Sequence, residues 1–360
     1  MPTVLKDKNI VLGVTGSIAC YKAIDLASKL TQLGAAVDVV MTHSATEFIS
    51  PLTFQSITHR NVVSDLFESQ TNMAINHVIL AERADVIIVA PATASTIAKI
   101  ANGLSDDALG TTLLATRAPT IIAPAMDGNM FDNPATQKNI ATLIERNFFI
   151  AGPENGRLAS GITGTGRLLD TSKLIGAICM TLGRSGDLTN SNILVSAGGP
   201  HEAIDPARII TNRSSGKMGY AIAEAARDRG AYVTLVTAPS HLDDLVGVNT
   251  IKVVSALDMK TQIESEYEKS DAIIMAAAVS DWSPKIYSKE KLKKHESNES
   301  SIDLIKNTDI ISSVNKPGLI KVGFAAETEN IESNAKKKIS DKNLDFIVAN
   351  DITSKSSGFA

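Results

Sequence analysis

Two junctions of one design constrain this chain more than anything else in it. In each, a strand-length apolar run meets glycine and then opens a helix. The longer junction is Ile204 to Gly219, IDPARIITNRSSGKMG. It follows the run Asn192 to Ala197 and the pair Gly198-Gly199, and precedes a small-residue helix, Tyr220 to Arg229. A helix start with free N–H groups, two hydroxyls (Ser214, Ser215) and Lys217 is a natural anion cradle. The shorter junction is N-terminal: Ile10 to Val14 runs into Thr15-Gly16-Ser17 and a helix carrying Tyr21 and Lys22. Two nucleotide-type folds in one chain imply two bound cofactors or substrates, and two reactions.

With 360 residues the chain is long for one domain and comfortable for two. A net charge of −4 gives no global basic field, so nucleic acid is not an expected partner. Two cysteines, Cys20 and Cys179, argue against a disulfide scaffold and fit a reducing, cytoplasmic setting. MPTVLKDKN has no apolar core of a secretory signal, and no apolar run reaches the ~18 residues of a membrane span.

Apolar runs of strand length alternate with helical patterns throughout, which predicts an α/β chain of two doubly wound domains. The first half reads as strands at 9–15, 36–42, 85–91, 119–124 and 147–151, with helices at 17–33, 44–57, 94–101, 105–116 and 134–146. The second reads as strands near 192–197, 231–237, 250–254, 271–278, 320–325 and 345–350. The predicted domains are 1–184 and 191–360, joined by a polar linker at 185–190 after an apolar helix at 172–182. Ser288 to Ser301, polar and charged, reads as a flap or loop.

In a doubly wound sheet the loops at the carboxyl ends of the strands meet at the ligand crevice. Gly16 and Ser17, then Thr42 and Ser44, then Pro91, Ala92, Thr93 and Ala94 occupy three such loops. Gly13 to Ala19 lacks the full spaced-glycine dinucleotide pattern, so phosphate binding and a plain tight turn both fit it. His77, ahead of an apolar helix, reads on its own as a cap or partly exposed polar group before it reads as a catalyst. Pro124 to Phe131 and Asn133 to Gln137 put methionines, polar groups and an aromatic after a strand end, like the rim of a substrate pocket.

Taken in order, GVTGSIACYKA, THSATEFISPLTFQSIT, HVILAERADVIIVAPATAST, PAMDGNMFDNPATQ and NRSSGKMG resemble one family over essentially the whole chain. It is the bifunctional phosphopantothenoylcysteine decarboxylase / phosphopantothenate–cysteine ligase family of coenzyme A biosynthesis. The resemblance implies a flavodoxin-like first half that binds FMN through the three loops above, with His77 acting in oxidative decarboxylation. A cysteine carboxylate needs an electron sink before it can lose CO₂, and a flavin that oxidises the thiol side chain provides one. Two positions depart from the family. Asp127 stands where asparagine contacts the substrate carboxylate, and a second negative charge there repels the substrate unless it is protonated or turned away. Ser160 stands where a cysteine donates a proton in the final reduction, and a hydroxyl is a far weaker acid than a thiol.

For the second half the resemblance implies a Rossmann-like ligase domain that activates 4'-phosphopantothenate with CTP and Mg²⁺ as an acyl-cytidylate, which cysteine then attacks. Arg208 and Asn212 match positions that hold and turn over that intermediate. Lys291 matches a flap lysine needed to form it, although its local sequence reads as a solvated loop charge. Ala277, Asp281, Thr308, Asp309, Ile310, Ile311, Phe324, Lys338 and Lys342 match the CTP site, Mg²⁺ being held through the CTP phosphates. Thr308 departs from the family's proline, and small departures occur at Gly199-Pro200-His201. Family members also continue past the match to Gly358-Phe359, which implies a truncated last strand here. The implied assembly is a homo-oligomer, trimeric through the flavin domain and dimeric through the ligase domain. Two other readings stay open. One is a ligase whose first half binds flavin with altered catalysis. The other is a flavodoxin-like regulatory or electron-transfer module fused to a nucleotide binder.

Overall fold

The computed structural model describes residues 3–66, 76–293, 301–327 and 329–351. The chain divides into two compact units, Met1–Gly183 and Arg184–Ala360. In chain order the first holds β1 (Asn9–Val14), α1 (Cys20–Gln32), β2 (Ala36–Met41), α2 (His43–Thr46), α3 (Pro51–Thr58), α4 (Asn76–Arg83) and β3 (Val86–Ala92). It continues with α5 (Ala94–Ala101), α6 (Ala108–Ala115), β4 (Thr120–Pro124), α7 (Gly128–Phe131), α8 (Pro134–Glu145), β5 (Phe149–Ile150), β6 (Glu154–Arg157), β7 (Thr163–Arg167) and α9 (Thr171–Gly183).

The main sheet of this unit is parallel, in the order β2-β1-β3-β4-β5. That is the flavodoxin-like order, whose switch point lies between the first and third strands. All seven positions of β3 are buried, as expected for a parallel strand covered on both faces. One covering layer includes α1, which buries Cys20, Ala23, Leu26, Ala27 and Leu30 at helical spacing. On another face Val11, Ile87, Val89 and Ile122 pack with Ile97, Ile100, Leu109, Ile140 and Leu143 of α5, α6 and α8.

The second unit holds β8 (Asn192–Ala197), β9 (Glu202–Asp205), β10 (Arg208–Ile210), α10 (Lys217–Arg227), β11 (Tyr232–Thr237), β12 (Asn249–Lys252), α11 (Ala256–Glu266) and β13 (Ala272–Met275). After these come β14 (Trp282–Pro284), β15 (Leu304–Lys306), α12 (Ile310–Ser313), β16 (Ile320–Glu327), α13 (Ile331–Lys342) and β17 (Phe346–Asp351). Its main sheet, parallel throughout, runs β12-β11-β8-β13-β16-β17. Counted within the unit this is 3-2-1-4-5-6, the Rossmann order, with its switch point between β8 and β13.

Each switch point is bridged by a buried hydroxyl. The Thr15 hydroxyl, just past β1, donates to the Pro91 carbonyl (2.8 Å) and accepts from the Thr93 N–H (3.1 Å) at the end of β3. The Ser196 hydroxyl, in β8, accepts from the Ala277 N–H (3.1 Å) just past β13. Both residues are fully buried. The bridges hold open the crevice mouths where the strands diverge.

Several expected elements differ. The helix expected at 44–57 is two, because Ser50 caps a new start (accepting from the Leu52 N–H at 3.3 Å) and Pro51 fits its first turn. The strand expected at 271–278 stops at Met275, because the Ala277 and Ala278 N–H groups turn to Ser196 and to the Gly198 carbonyl (2.8 Å). The first helix starts at Cys20 rather than residue 17, since 17–19 form a turn in which the Ser17 N–H meets the Thr15 carbonyl (2.8 Å). The helix expected from Tyr220 begins at Lys217 and ends at Arg227, with Gly216 supplying a positive φ (78°) at its start. The stretch expected as a polar loop contains β10, paired antiparallel with β9. Residues 294–300 of the expected flap lie outside the described residues, as does Thr328.

Thr15→Val keeps the shape and deletes both bonds, leaving two buried backbone groups unpaired. A loss of about 1–3 kcal/mol in the first unit is expected, measured as faster hydrogen exchange of the β1 and β3 amides.

Candidate functional site

At the first switch point the loops after β1, β2 and β3 come together. A Cβ on Gly16 would lie 2.5 Å from the Ser44 Cβ, so only glycine lets the loop after β1 approach the start of α2 this closely. The Thr42 N–H donates to the Val14 carbonyl (3.0 Å), yet the Thr42 hydroxyl is buried with no partner. A glycine cradle of this kind lets the backbone approach a bound polar ligand closely. The adjoining cleft, about 580 Å³, is lined by Gly16, Ser17, Tyr21, Thr93, Ala94, Met126, Asp127, Met130, Arg157 and Ser160, among others.

The far wall is the β6–β7 hairpin, which pattern reading did not anticipate as strands. It is pinned by the Met126 N–H donating to the Gly166 carbonyl (3.0 Å). Gly166 has φ 150°, and a Cβ there would overlap the Met126 carbonyl oxygen. Across this seam the Ser160 hydroxyl donates to one Asp127 oxygen (3.0 Å), while the other accepts from the Asn129 N–H (3.1 Å) and caps α7. The two residues that depart from the family are therefore one hydrogen-bonded pair, and the Asp127 carboxylate is turned toward Ser160 and α7. Lys22 is committed to Asp170 (2.7 Å) and the Leu168 carbonyl (2.9 Å), and its ammonium, bonded to Asp170, holds that carboxyl below the usual range. Arg157, exposed on the hairpin, is the lining cation that sequence reading missed; its glycine-rich context carried no strand pattern.

Thr42, Ser44, Pro91 and Ala92 support the cleft from behind and do not line it. His77, half-buried in the first turn of α4, does not line it either, and the segment leading to it lies outside the described residues.

At the second switch point a larger cleft, about 860 Å³, opens between the 212–219 loop and the carboxyl ends of β13, β16 and β17. It brings together Asn212, Ala277, Asp281, Thr308, Asp309, Ile310, Ile311, Phe324, Lys338 and Lys342, with Ser214, Ser215 and the first turn of α10. The Asn212 amide donates to the Ala278 and Val279 carbonyls (3.3 and 3.1 Å) and so ties the loop to the end of β13. Lys342 pairs with Asp309 (2.8 Å). Burial alone would raise the Asp309 pKa; the Lys342 ammonium and the Ser312 N–H outweigh it and hold the carboxyl below its usual value. Beneath, buried Lys321 donates to the Lys342 carbonyl (3.3 Å) and the Val314 carbonyl (3.2 Å), which fixes the C-terminus of α13 and hence its lysines.

Arg208 and Lys291 do not line this cleft. Arg208 instead bonds Asp205 (2.7 Å) and the Leu292 carbonyl (3.1 Å), next to Lys291. Burial would raise the Asp205 pKa, but N–H donors from Ala207, Leu292 and Arg208, with the Arg208 charge, hold it down.

A family model described as "Flavoprotein" matches residues 2–183, and one described as "DNA/pantothenate metabolism flavoprotein C-terminal domain" matches 188–360. Relatives named coenzyme A biosynthesis bifunctional protein CoaBC are similar over nearly the whole chain. That of Vibrio cholerae is 44% identical over 361 residues, covering 99% of this chain and 90% of the relative. That of Bacillus subtilis is 45% identical over 360 residues, covering 99% and 88%. The Escherichia coli protein is 40% identical over 362 residues, covering 99% and 89%. The chain belongs to the family of bifunctional coenzyme A biosynthesis proteins. Each half of this family member thus has a cleft at its switch point. No described helix is long and apolar enough to cross a membrane. Among the described residues no cluster of His, Cys, Asp and Glu is arranged to hold a metal.

Gly166→Ala should push the β6–β7 hairpin off the Met126 carbonyl. Backbone strain of about 1–3 kcal/mol makes opening roughly 5- to 150-fold more frequent. Limited trypsin digestion should then cut faster after Arg157 and Arg167.

Proposed function

We propose that the chain ligates cysteine to 4'-phosphopantothenate with CTP and then decarboxylates the product to 4'-phosphopantetheine. The observation that carries this reading is the second cleft. A helix start and two lysines one turn apart share a cavity large enough for a nucleoside triphosphate, equipment that flavin chemistry alone does not call for. In this reading Lys338, Lys342 and the N–H groups of α10 would hold the triphosphate, and Mg²⁺ bound with it would supply further charge neutralisation. The substrate carboxylate displaces pyrophosphate at the α-phosphorus. Lys291 neutralises the charge that develops in that step. Asn212 and Arg208 hold the mixed anhydride while the cysteine amine attacks its acyl carbon and CMP leaves. Asp281 and Phe324 border the cytidine.

In the first cleft Gly16, Ser17, Thr93 and Ala94 would hold FMN, with Thr42, Ser44, Pro91 and Ala92 supporting those loops from behind. Bound there, FMN supplies the two-electron oxidation of the substrate thiol and later returns the electrons. His77 moves the thiol-side proton, and the β6–β7 hairpin excludes water. Because Asp127 is engaged by Ser160 and Asn129, its charge is directed away from the incoming carboxylate, which supports a working decarboxylase. The same pair also supports the second reading, a ligase with an altered flavin half, because neither residue presents a thiol. The proposed setting is the cytoplasm, and the proposed assembly is trimeric through the flavin half and dimeric through the ligase half.

Mass spectrometry after adding 4'-phosphopantothenate, cysteine, CTP and Mg²⁺ should show 4'-phosphopantetheine from yellow, flavin-loaded protein. Phosphopantothenoylcysteine as the sole product would favour the second reading, and no ligated product would refute both. Lys291→Gln should block acyl-cytidylate formation, whereas Asn212→Asp should let it form and hinder its turnover.

His77→Asn should abolish CO₂ release. Ser160→Cys should reduce any enethiol that escapes before reduction. If the natural protein released no CO₂ and Asp127→Asn restored it, the Asp127 charge would be the cause of silence.

A further inference from the structure

Asp205 has no role in the function described so far, yet four donors engage its carboxylate. It is 2% exposed. One oxygen accepts from the Ala207 and Arg208 N–H groups (2.8 and 2.9 Å), which closes the turn between β9 and β10. The other accepts from the Arg208 guanidinium (2.7 Å) and from the Leu292 N–H (3.1 Å), 87 residues away in sequence. Arg208 reaches on to the Leu292 carbonyl (3.1 Å). The Leu292 residue is thus gripped at both its N–H and its C=O by a single ion pair. Four residues earlier the Ser288 N–H donates to the Ile204 carbonyl (3.0 Å), so the segment is docked along β9 at two points. Lys291 lies between those points. Its own side chain is exposed, and among the described residues the backbone grip on either side is what holds the Lys291 backbone in place.

We propose that Asp205 is a positioning residue for the ligase reaction, locking Arg208 to the segment that carries Lys291 so that the two cations act from a fixed separation. The inference rests on the ligase reading above. A carboxylate this buried needs its partners: four donors satisfy it, and removing its charge frees both Arg208 and Leu292. Two long, cationic side chains that must meet one anhydride lose effective concentration quickly when the backbone of one drifts; a misplacement of about 1 Å can cost a factor of about 100. The sequence separation also explains why the turn carboxylate sits where it does. An Asx turn alone would be satisfied by asparagine, but an asparagine amide would point N–H groups at the Arg208 and Leu292 donors.

The test compares the full-length, flavin-loaded protein with Asp205→Asn and, independently, Leu292→Pro, which keeps the carboxylate and removes the donated N–H while also fixing φ at 292 and restricting Lys291 to extended backbone. Should Asp205→Asn fail to fold, Leu292→Pro carries the test. The readouts are the single-turnover rate of pyrophosphate release with CTP, Mg²⁺ and 4'-phosphopantothenate, the KM for CTP, and hydrogen exchange of the 286–292 amides. The expected result is a rate lower by tenfold or more, a KM for CTP within about twofold of the natural protein, and faster exchange confined to 286–292. A general structural defect would move the KM for CTP as well. Rates within twofold of the natural protein in both variants, while Lys291→Gln blocks the step, would overturn the role of Asp205 and leave the ligase reading intact. If the natural protein itself released no pyrophosphate, the ligase reading and this inference would both fall.

Discussion

A buried hydroxyl at each switch point is the contact on which both clefts depend. Where parallel strands diverge, the loops that follow them have no partner strand, and their backbone groups must be satisfied elsewhere. Thr15 does this for Pro91 and Thr93, and Ser196 does it for Ala277. The two units use the same solution although their strand orders differ, β2-β1-β3-β4-β5 in one and β12-β11-β8-β13-β16-β17 in the other. With the mouth held, glycine sets how close the next loop comes. Gly16 admits Ser44, and Gly219 lets α10 sit against Ala197, where a Cβ would lie 2.5 Å from the Ala197 Cβ.

Cations in and around these clefts are not idle. Lys22 is held by Asp170, Lys342 by Asp309 and Arg208 by Asp205. On the proposed reading, a phosphate arriving at Lys342 would exchange an existing ion pair. Lys342 and Asp309 are both about a third exposed or more (34% and 41%), and pairs of that kind are worth only about 0–1 kcal/mol, so the exchange is cheap. Asp205 is different, since its side chain has no exposed surface and Arg208 is bonded to it and to the flap segment together. That contrast separates a lysine free to change partners from an arginine held in place.

Much of this was legible in the sequence because parallel strands buried on both faces are near-continuous apolar runs. Val86–Ala92 is the clearest, and its residues differ by one position from the expected 85–91. The order of strands was not legible, since such runs look alike and only crossovers decide their places. The β6–β7 hairpin was missed because ENGR and TGTGR carry neither apolar alternation nor β-branched bulk. The helix expected at 44–57 ran through Ser50-Pro51, a start signal that pattern reading passed over. At the sites, loop residues such as Gly16, Ser17 and Thr93 could be read because they follow strand ends, whereas Asn212 came only from the family resemblance. Asp205 could not, because its decisive partner, Leu292, is remote in sequence. The link between Asp127 and Ser160 was equally hidden: each was visible as a substitution, while the 3.0 Å bond that makes them one unit exists only in the fold.

On the proposed reading, two switch points in one chain hold two different nucleotides. Binding stoichiometry tests this, by titrating the purified chain with FMN and then, in the flavin-loaded state, with CTP and Mg²⁺. One FMN and one CTP per chain are expected, with Gly16→Val abolishing FMN binding and leaving CTP affinity unchanged. Competition between the two ligands for one site, or loss of CTP binding in Gly16→Val, would contradict it.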